Sequence, residues 1–143
     1  MSRSLIGILL LALALRIGAA IACDGHAFSA DEAHWQRMAE AVWQHGLLSA
    51  EAGFFRPPLY PLLIACIYSA LGYEPLFVRL IQAVLSAATC LMPYGLARTA
   101  YGERAGLYAA LLAACHPLFI FFSGIFMAET LLLACTGLAL WQV

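Results

Sequence analysis

The chain contains no Lys and no Asn, and Arg supplies all seven of its cations. Charge of either sign is scarce: 10% of the 143 residues are charged and 64% are hydrophobic. Ordinary soluble domains are about a quarter charged and about half apolar. A water-soluble chain of this size would lack the polar surface to cover itself. These shortages exclude a soluble enzyme and a disordered tail. With a net charge of −1 and a pI near 6.4 there is no basic field for nucleic acid either. Both absent residues have AT-rich codons, which points to a GC-rich genome. Cysteine patterning is missing too. Cys23, Cys66, Cys90, Cys115 and Cys135 form no CxxC pair, have no His at ligand spacing, and mostly fall in apolar segments. That argues against zinc or a disulfide framework and for small buried hydrophobes.

What is present is a series of long apolar runs, with a mean hydropathy of +0.90. Residues 4–22 follow Arg3, and Ala20-Ile21-Ala22-Cys23 has the look of a lipoprotein cleavage site. Arg16 inside the run argues against a signal peptide, so 4–22 reads as an uncleaved first span with Arg3 cytoplasmic. Arg16 then needs a partner or a watery cavity, or it snorkels outward. After a polar segment, 23–56, come further apolar stretches at 57–71, 75–97, 105–122 and 125–143. The expectation is one all-α multi-pass membrane domain over 1–143, with an amphipathic interfacial helix, 30–45, in the first outer loop. The final stretch reaches Val143 without a polar flank, so the chain reads as truncated in mid-helix.

Topology follows by parity. If every stretch spans and 23–56 is outside, Arg98 and Arg104 lie outside too, against the positive-inside rule. The stretch 57–71 opens with Pro57, Pro58 and Pro61. Its helical part covers about 20–24 Å at 1.5 Å per residue, against a bilayer core of about 30 Å. Read as short or re-entrant, it leaves the Arg cluster cytoplasmic. Glu129 then begins the last span on the same outer face as the first loop; a full crossing by 57–71 is the rival.

The few polar residues within this apolar chain carry the chemistry. Ser29-Ala30-Asp31-Glu32 has the form of a capping box, with Ser29 as cap and Glu32 returning its bond. Trp35, Met38, Ala39, Val42 and Trp43 follow at helical spacing, making an apolar stripe expected to face the headgroup layer. The box assigns Asp31 no bond, yet the helix N-terminus there favours a carboxylate, which suits a general base or cation ligand. In Arg56-Pro57-Pro58-Leu59-Tyr60-Pro61 the prolines hold Arg56 at a re-entry point, placed for a phosphate that it can grip bidentately. Arg79 and Gln82, three apart, extend that polar site. Glu129 lies within an apolar stretch and needs a cavity or a cation, with Arg56, Arg79 or Arg16 as candidates. Glu74 and Glu103 read as turn residues, and His116-Pro117 as a helix kink.

Taken in order, Asp31-Glu32-x-x-Trp35, Gly46, Arg56-Pro57-Pro58-Leu59-Tyr60-Pro61, Arg79-x-x-Gln82, Pro117, Ser123-Gly124 and Glu129-Thr130-Leu131 resemble the N-terminal part of a known family. It is the bacterial protein O-mannosyltransferase and aminoarabinose transferase superfamily, the C-type membrane glycosyltransferases. The resemblance runs from about residue 4 to 143, with Trp35 where the family usually has Tyr. Family members are several hundred residues long. The resemblance implies inverting transfer of a sugar from a polyprenyl-phosphate donor to an acceptor hydroxyl, at the outer face of a bacterial inner membrane. By position, Asp31 would be the base, Arg56 would hold the lipid phosphate, and Glu129 would be the second acid. Glu32, Arg79, Gln82 and Tyr60 would complete the substrate site. No cofactor is expected, and no carboxylate cluster in the sequence demands a metal; the partners implied are the lipid-linked donor, the bilayer and an acceptor glycan, lipid or protein. Two other classes fit the composition: a small multi-pass carrier or flippase, and a non-catalytic membrane subunit packing through Gly and Ala faces.

Overall fold

The structure, a computed structural model, describes residues 2–26, 30–46 and 57–141, which contain helices and no strand. Helix α1, Arg3–Ala22, is capped by the Ser2 side chain, which accepts from the Leu5 N–H at 3.3 Å. Helix α2, Ala30–His45, ends where Gly46 takes φ +84°, a conformation that favours glycine. Helix α3, Leu59–Leu71, starts directly after Pro57-Pro58, whose fixed φ suits a first helical turn. Helices α4, Pro75–Ala88, and α5, Leu91–Tyr101, are two parts of one rod. The interruption follows from Pro93, which has no N–H for the Thr89 carbonyl. Met92 N–H bonds that carbonyl at 3.1 Å in a tighter turn, and the Thr89 hydroxyl donates back to Ser86 O at 2.7 Å.

The stretch expected at 105–122 folds as two helices, α6, Glu103–Cys115, and α7, Pro117–Gly124, bent by 50° at His116-Pro117. Helix α8 follows as Glu129–Trp141. Two helical runs are long and apolar enough to cross a membrane, Arg3–Ala22 and Pro75–Tyr101, and α6–α7 makes a third when its bent halves count as one. Helix α3 covers 13 residues, about 20 Å at 1.5 Å per residue.

Packing fixes how these rods run. Leu5 of α1 meets Tyr94 of α5 and Ala110 of α6, while Ala12 meets Ala87, Cys90 and Ala114. Beyond α1, Asp24 reaches Arg79 of α4. Helix α1 is therefore antiparallel to α4–α5 and parallel to α6–α7. Because Asp24 after α1 meets Arg79 near the start of α4, the intervening chain with α2 and α3 makes no net crossing of the bundle. One end of the bundle collects Arg3 with the α5–α6 turn, where Arg98 pairs with Glu103 at 2.8 Å. That turn is tight. Gly102 sits at φ +89°, and a Cβ on Gly106 would come within 2.9 Å of the Tyr94 carbonyl. The opposite end collects Asp24, Glu32, Arg79 and the start of α8.

At that opposite end α2 lies on α3. The stripe foreseen as facing the headgroup layer faces protein instead. Trp35, Met38 and Ala39 pack with Tyr60, Ile64 and Tyr68, and Val42 with Ala65. Trp35 stands edge-on to Tyr60, with ring centroids 5.2 Å apart. The reason is area: α3 is apolar on more than one face, and covering it with an adjacent amphipathic helix removes apolar surface from water. Trp43, at the rim, keeps 37% exposure.

Candidate functional site

The polar end is built around the Arg79 guanidinium, held in α4 at 4% exposure. Its Nη2 donates to Glu32 Oε1 at 2.8 Å and to the His26 carbonyl at 3.3 Å. Nη1 donates to Asp24 Oδ1 at 3.1 Å, and Nε to the Gly124 carbonyl at 2.9 Å. The group also lies 4.9 Å from the Phe126 ring centroid. Glu32 is 2% exposed, and its Oε1 accepts a second bond from the Phe126 N–H at 3.2 Å. A buried ion pair tolerates desolvation when its remaining hydrogen-bonding capacity is used, as here.

One helical turn along, Gln82 is 1% exposed. Its Nε2 donates to the Ile125 carbonyl at 3.0 Å, and its Oε1 accepts from the Tyr60 hydroxyl at 2.8 Å. Glu32, Arg79, Gln82 and Tyr60 thus come together in one cluster drawn from α2, α3 and α4. The link from α7 to α8 runs through this cluster. Glu129 opens α8, half-buried, where the helix N-terminus favours a carboxylate. It is close enough to Tyr60 for its charge to act on that hydroxyl. Of the cations foreseen as its partner, Arg79 is taken by Asp24 and Glu32, and Arg16 bonds only neutral groups. The third, Arg56, lies outside the described residues, as does Ser29 of the capping box. Asp31 is half-buried in the first turn of α2.

Beside Arg79 opens a polar cleft of about 340 Å³ lined by Asp24, Gly25, His26, Glu32, Gln36, Glu74, Pro75 and Arg79. Its rim is aromatic. Gln36 donates to the Tyr73 hydroxyl at 3.0 Å, Tyr73 donates to Glu40, and the rings of Trp43 and Tyr73 stack at 5.8 Å. Partial burial, and the hydrogen bond to Glu40, push the Tyr73 hydroxyl's pKa up. Among the described residues, no three His, Cys, Asp or Glu side chains converge to hold a metal ion.

Arg16 belongs to a different environment, in mid-bundle. It is 0% exposed, so the snorkelling alternative is corrected. Nε donates to Ser86 Oγ at 2.8 Å; Nη1 donates to the Ala12 and Ala114 carbonyls at 3.1 and 3.0 Å. Nη2 donates to the Ala113 carbonyl at 3.1 Å and contacts Cys90 Sγ at 3.7 Å. Pro117 has no N–H to give the Ala113 carbonyl four residues back, and Arg16 supplies one.

Sequence reasoning missed Asp24, and passed over Glu74 as a turn residue, although it lines the cleft. Asp24 had a signal: it directly follows the first span, at the end of the bundle where parity also puts Arg79. The Gln36–Tyr73–Glu40 set had none, because it depends on how α2 docks beside the turn before α4. Residues 55–143 match the family described as dolichyl-phosphate-mannose-protein mannosyltransferase. No curated protein and no solved structure matches the chain.

Proposed function

The chain belongs to the dolichyl-phosphate-mannose-protein mannosyltransferase family, and from that premise we propose that it transfers a sugar from a polyprenyl-phosphate donor to an acceptor hydroxyl at the outer face of the membrane. The family match is the observation that carries this reading. Support comes from the bundle, where Glu32, Arg79, Gln82, Tyr60 and the start of α8 share one end. An apolar groove of about 430 Å³, lined by Leu85, Met92 and Ala134 among others, begins further along α4 and suits an isoprenoid chain.

In this reading the acceptor oxygen attacks C1 of the sugar as the bond from C1 to the phosphate oxygen breaks. Configuration at C1 inverts, the polyprenyl phosphate leaves as an anion, and the acceptor proton passes to the Asp31 carboxylate. Arg56 holds the leaving phosphate, whose growing charge a fixed cation stabilises. Glu129 orients the acceptor, and the buried Glu32, Arg79, Gln82 and Tyr60 brace the end of the bundle where the substrates sit. Arg3, Arg98 and Arg104, at the other end, face the cytoplasm by the positive-inside rule.

The test is Asp31→Asn in the full chain, reconstituted with a polyprenyl-phosphate sugar. Loss of a general base lowers turnover by at least about a hundredfold, with membrane insertion unchanged. Turnover within twofold of the parent protein would sink the mechanism.

A further inference from the structure

Three successive residues, the last of α7 and the first two of its link to α8, are each held through the backbone by a different buried side chain. Gly124 C=O accepts from Arg79 at 2.9 Å, Ile125 C=O from Gln82 at 3.0 Å, and Phe126 N–H donates to Glu32 at 3.2 Å. We propose that Gln82 is a positioning residue, which sets where Glu129 stands by anchoring the α7–α8 link to α3 and α4. The proposal rests on the reading of Glu129 as an acid of the transfer site.

Gln82 is the member of the trio that brings in α3. Its carboxamide donates to Ile125 C=O and accepts from the Tyr60 hydroxyl at 2.8 Å, so one planar group ties α3, α4 and the link together. Both capacities are used, and at 1% exposure water does not compete for them. Glu129 follows Phe126 by three residues and opens α8. No described side chain holds its carboxylate by a hydrogen bond or ion pair, so the anchored backbone before it governs its position. Its electrostatic neighbour, Tyr60, is the residue on which Gln82 makes its other bond. The same amide therefore sets both partners.

The experiment compares parent protein, Gln82→Leu, Gln82→Glu and Glu129→Gln, each as the full chain in nanodiscs. Amide hydrogen exchange and sugar transfer are both read. Gln82→Leu removes both bonds, so amides in 125–132 exchange at least about tenfold faster, while those of α1 stay at parent rates. Displacement of an acceptor-orienting group by about an ångström lowers kcat by tenfold or more, with KM for the donor within twofold. Gln82→Glu still accepts from Tyr60, but at high pH it sets a carboxylate against the Ile125 carbonyl and behaves like Gln82→Leu. At low pH the introduced carboxyl is protonated and donates again, restoring slow exchange and kcat relative to parent at the same pH. Among the described residues, Arg79, Glu32, Tyr60, Tyr68 and Glu129 are the charged and titratable groups around that position, and the parent carries all five, so its profile subtracts them.

Unchanged exchange at 125–132 in Gln82→Leu would overturn the anchorage. A raised KM with parent kcat would replace positioning by substrate contact. Normal transfer by Glu129→Gln would overturn the role given to Glu129, and with it the positioning claim, while the exchange data still report on the anchor by itself.

Discussion

Two arginines are buried among the described residues, Arg16 at 0% and Arg79 at 4% exposure, and they are satisfied by opposite means. Arg79 sits at the polar end and pairs with two carboxylates, Asp24 and Glu32. Arg16 sits in mid-bundle and bonds a hydroxyl, a thiol sulfur and three backbone carbonyls, two of them at the C-terminus of α6. That terminus is the negative end of the helix dipole, so a cation there needs no carboxylate. The contrast separates two uses of a buried charge. Arg16 repairs one helix that a proline has broken. Arg79 gathers segments far apart in sequence, and it does so beside the residues assigned to transfer.

The largest effect is expected where a charge would be orphaned. Arg79→Leu leaves Glu32 at 2% exposure without its guanidinium, which costs about 3–5 kcal/mol. The denaturant midpoint in detergent micelles reads this, and sugar transfer falls with it. Arg16→Leu removes its own charge together with its bonds, so no ion is orphaned. It strips partners from the Ala113 and Ala114 carbonyls and from Ser86, at about 2–3 kcal/mol by the same measurement. Equal losses in the two variants would erase the distinction between them.

The comparison also shows how much could be read from the sequence. Apolar runs and proline positions announce the helices, since spans, the His116-Pro117 bend and an amphipathic α2 follow from periodicity and missing N–H groups. The direction of the α2 stripe was not legible, because Trp35 and Met38 are as suited to lipid as to α3. Arg79 and Gln82 were identifiable as a polar pair by their spacing on one helix face. Their grip on the carbonyls of residues 124 and 125 was not, since backbone acceptors carry no residue signature. Arg16 offered the reverse case: the charge was conspicuous, while its partner was Pro117's missing donor, about a hundred residues away.

That pairing of Arg16 with Pro117 gives the next test. Pro117→Ala returns an N–H to position 117, which can reach the Ala113 carbonyl if the helix closes its ladder. In that background Arg16→Leu should cost about 1 kcal/mol less than in the parent chain, a coupling read by a double-mutant cycle. Additive losses would show that Arg16 serves some other partner, and the repair half of the contrast would fall.

The smallest effect should come from the outermost bond of the Arg79 group. The Asp24 side chain is 38% exposed, and its Oδ1 lies 3.1 Å from Nη1. Asp24→Asn keeps an oxygen that can accept the same hydrogen bond and removes only a partly solvated charge. The expected loss is about 0.5 kcal/mol at low ionic strength, and it should fade in about 1 M salt as the Debye length shortens to about 3 Å. Glu32→Gln, by contrast, replaces a carboxylate that salt does not reach, and its cost should persist at the same ionic strength. If both variants lost their effect in salt, Glu32 would be exchanging with solvent, and Arg79 would be held at the surface, not in the core of the site.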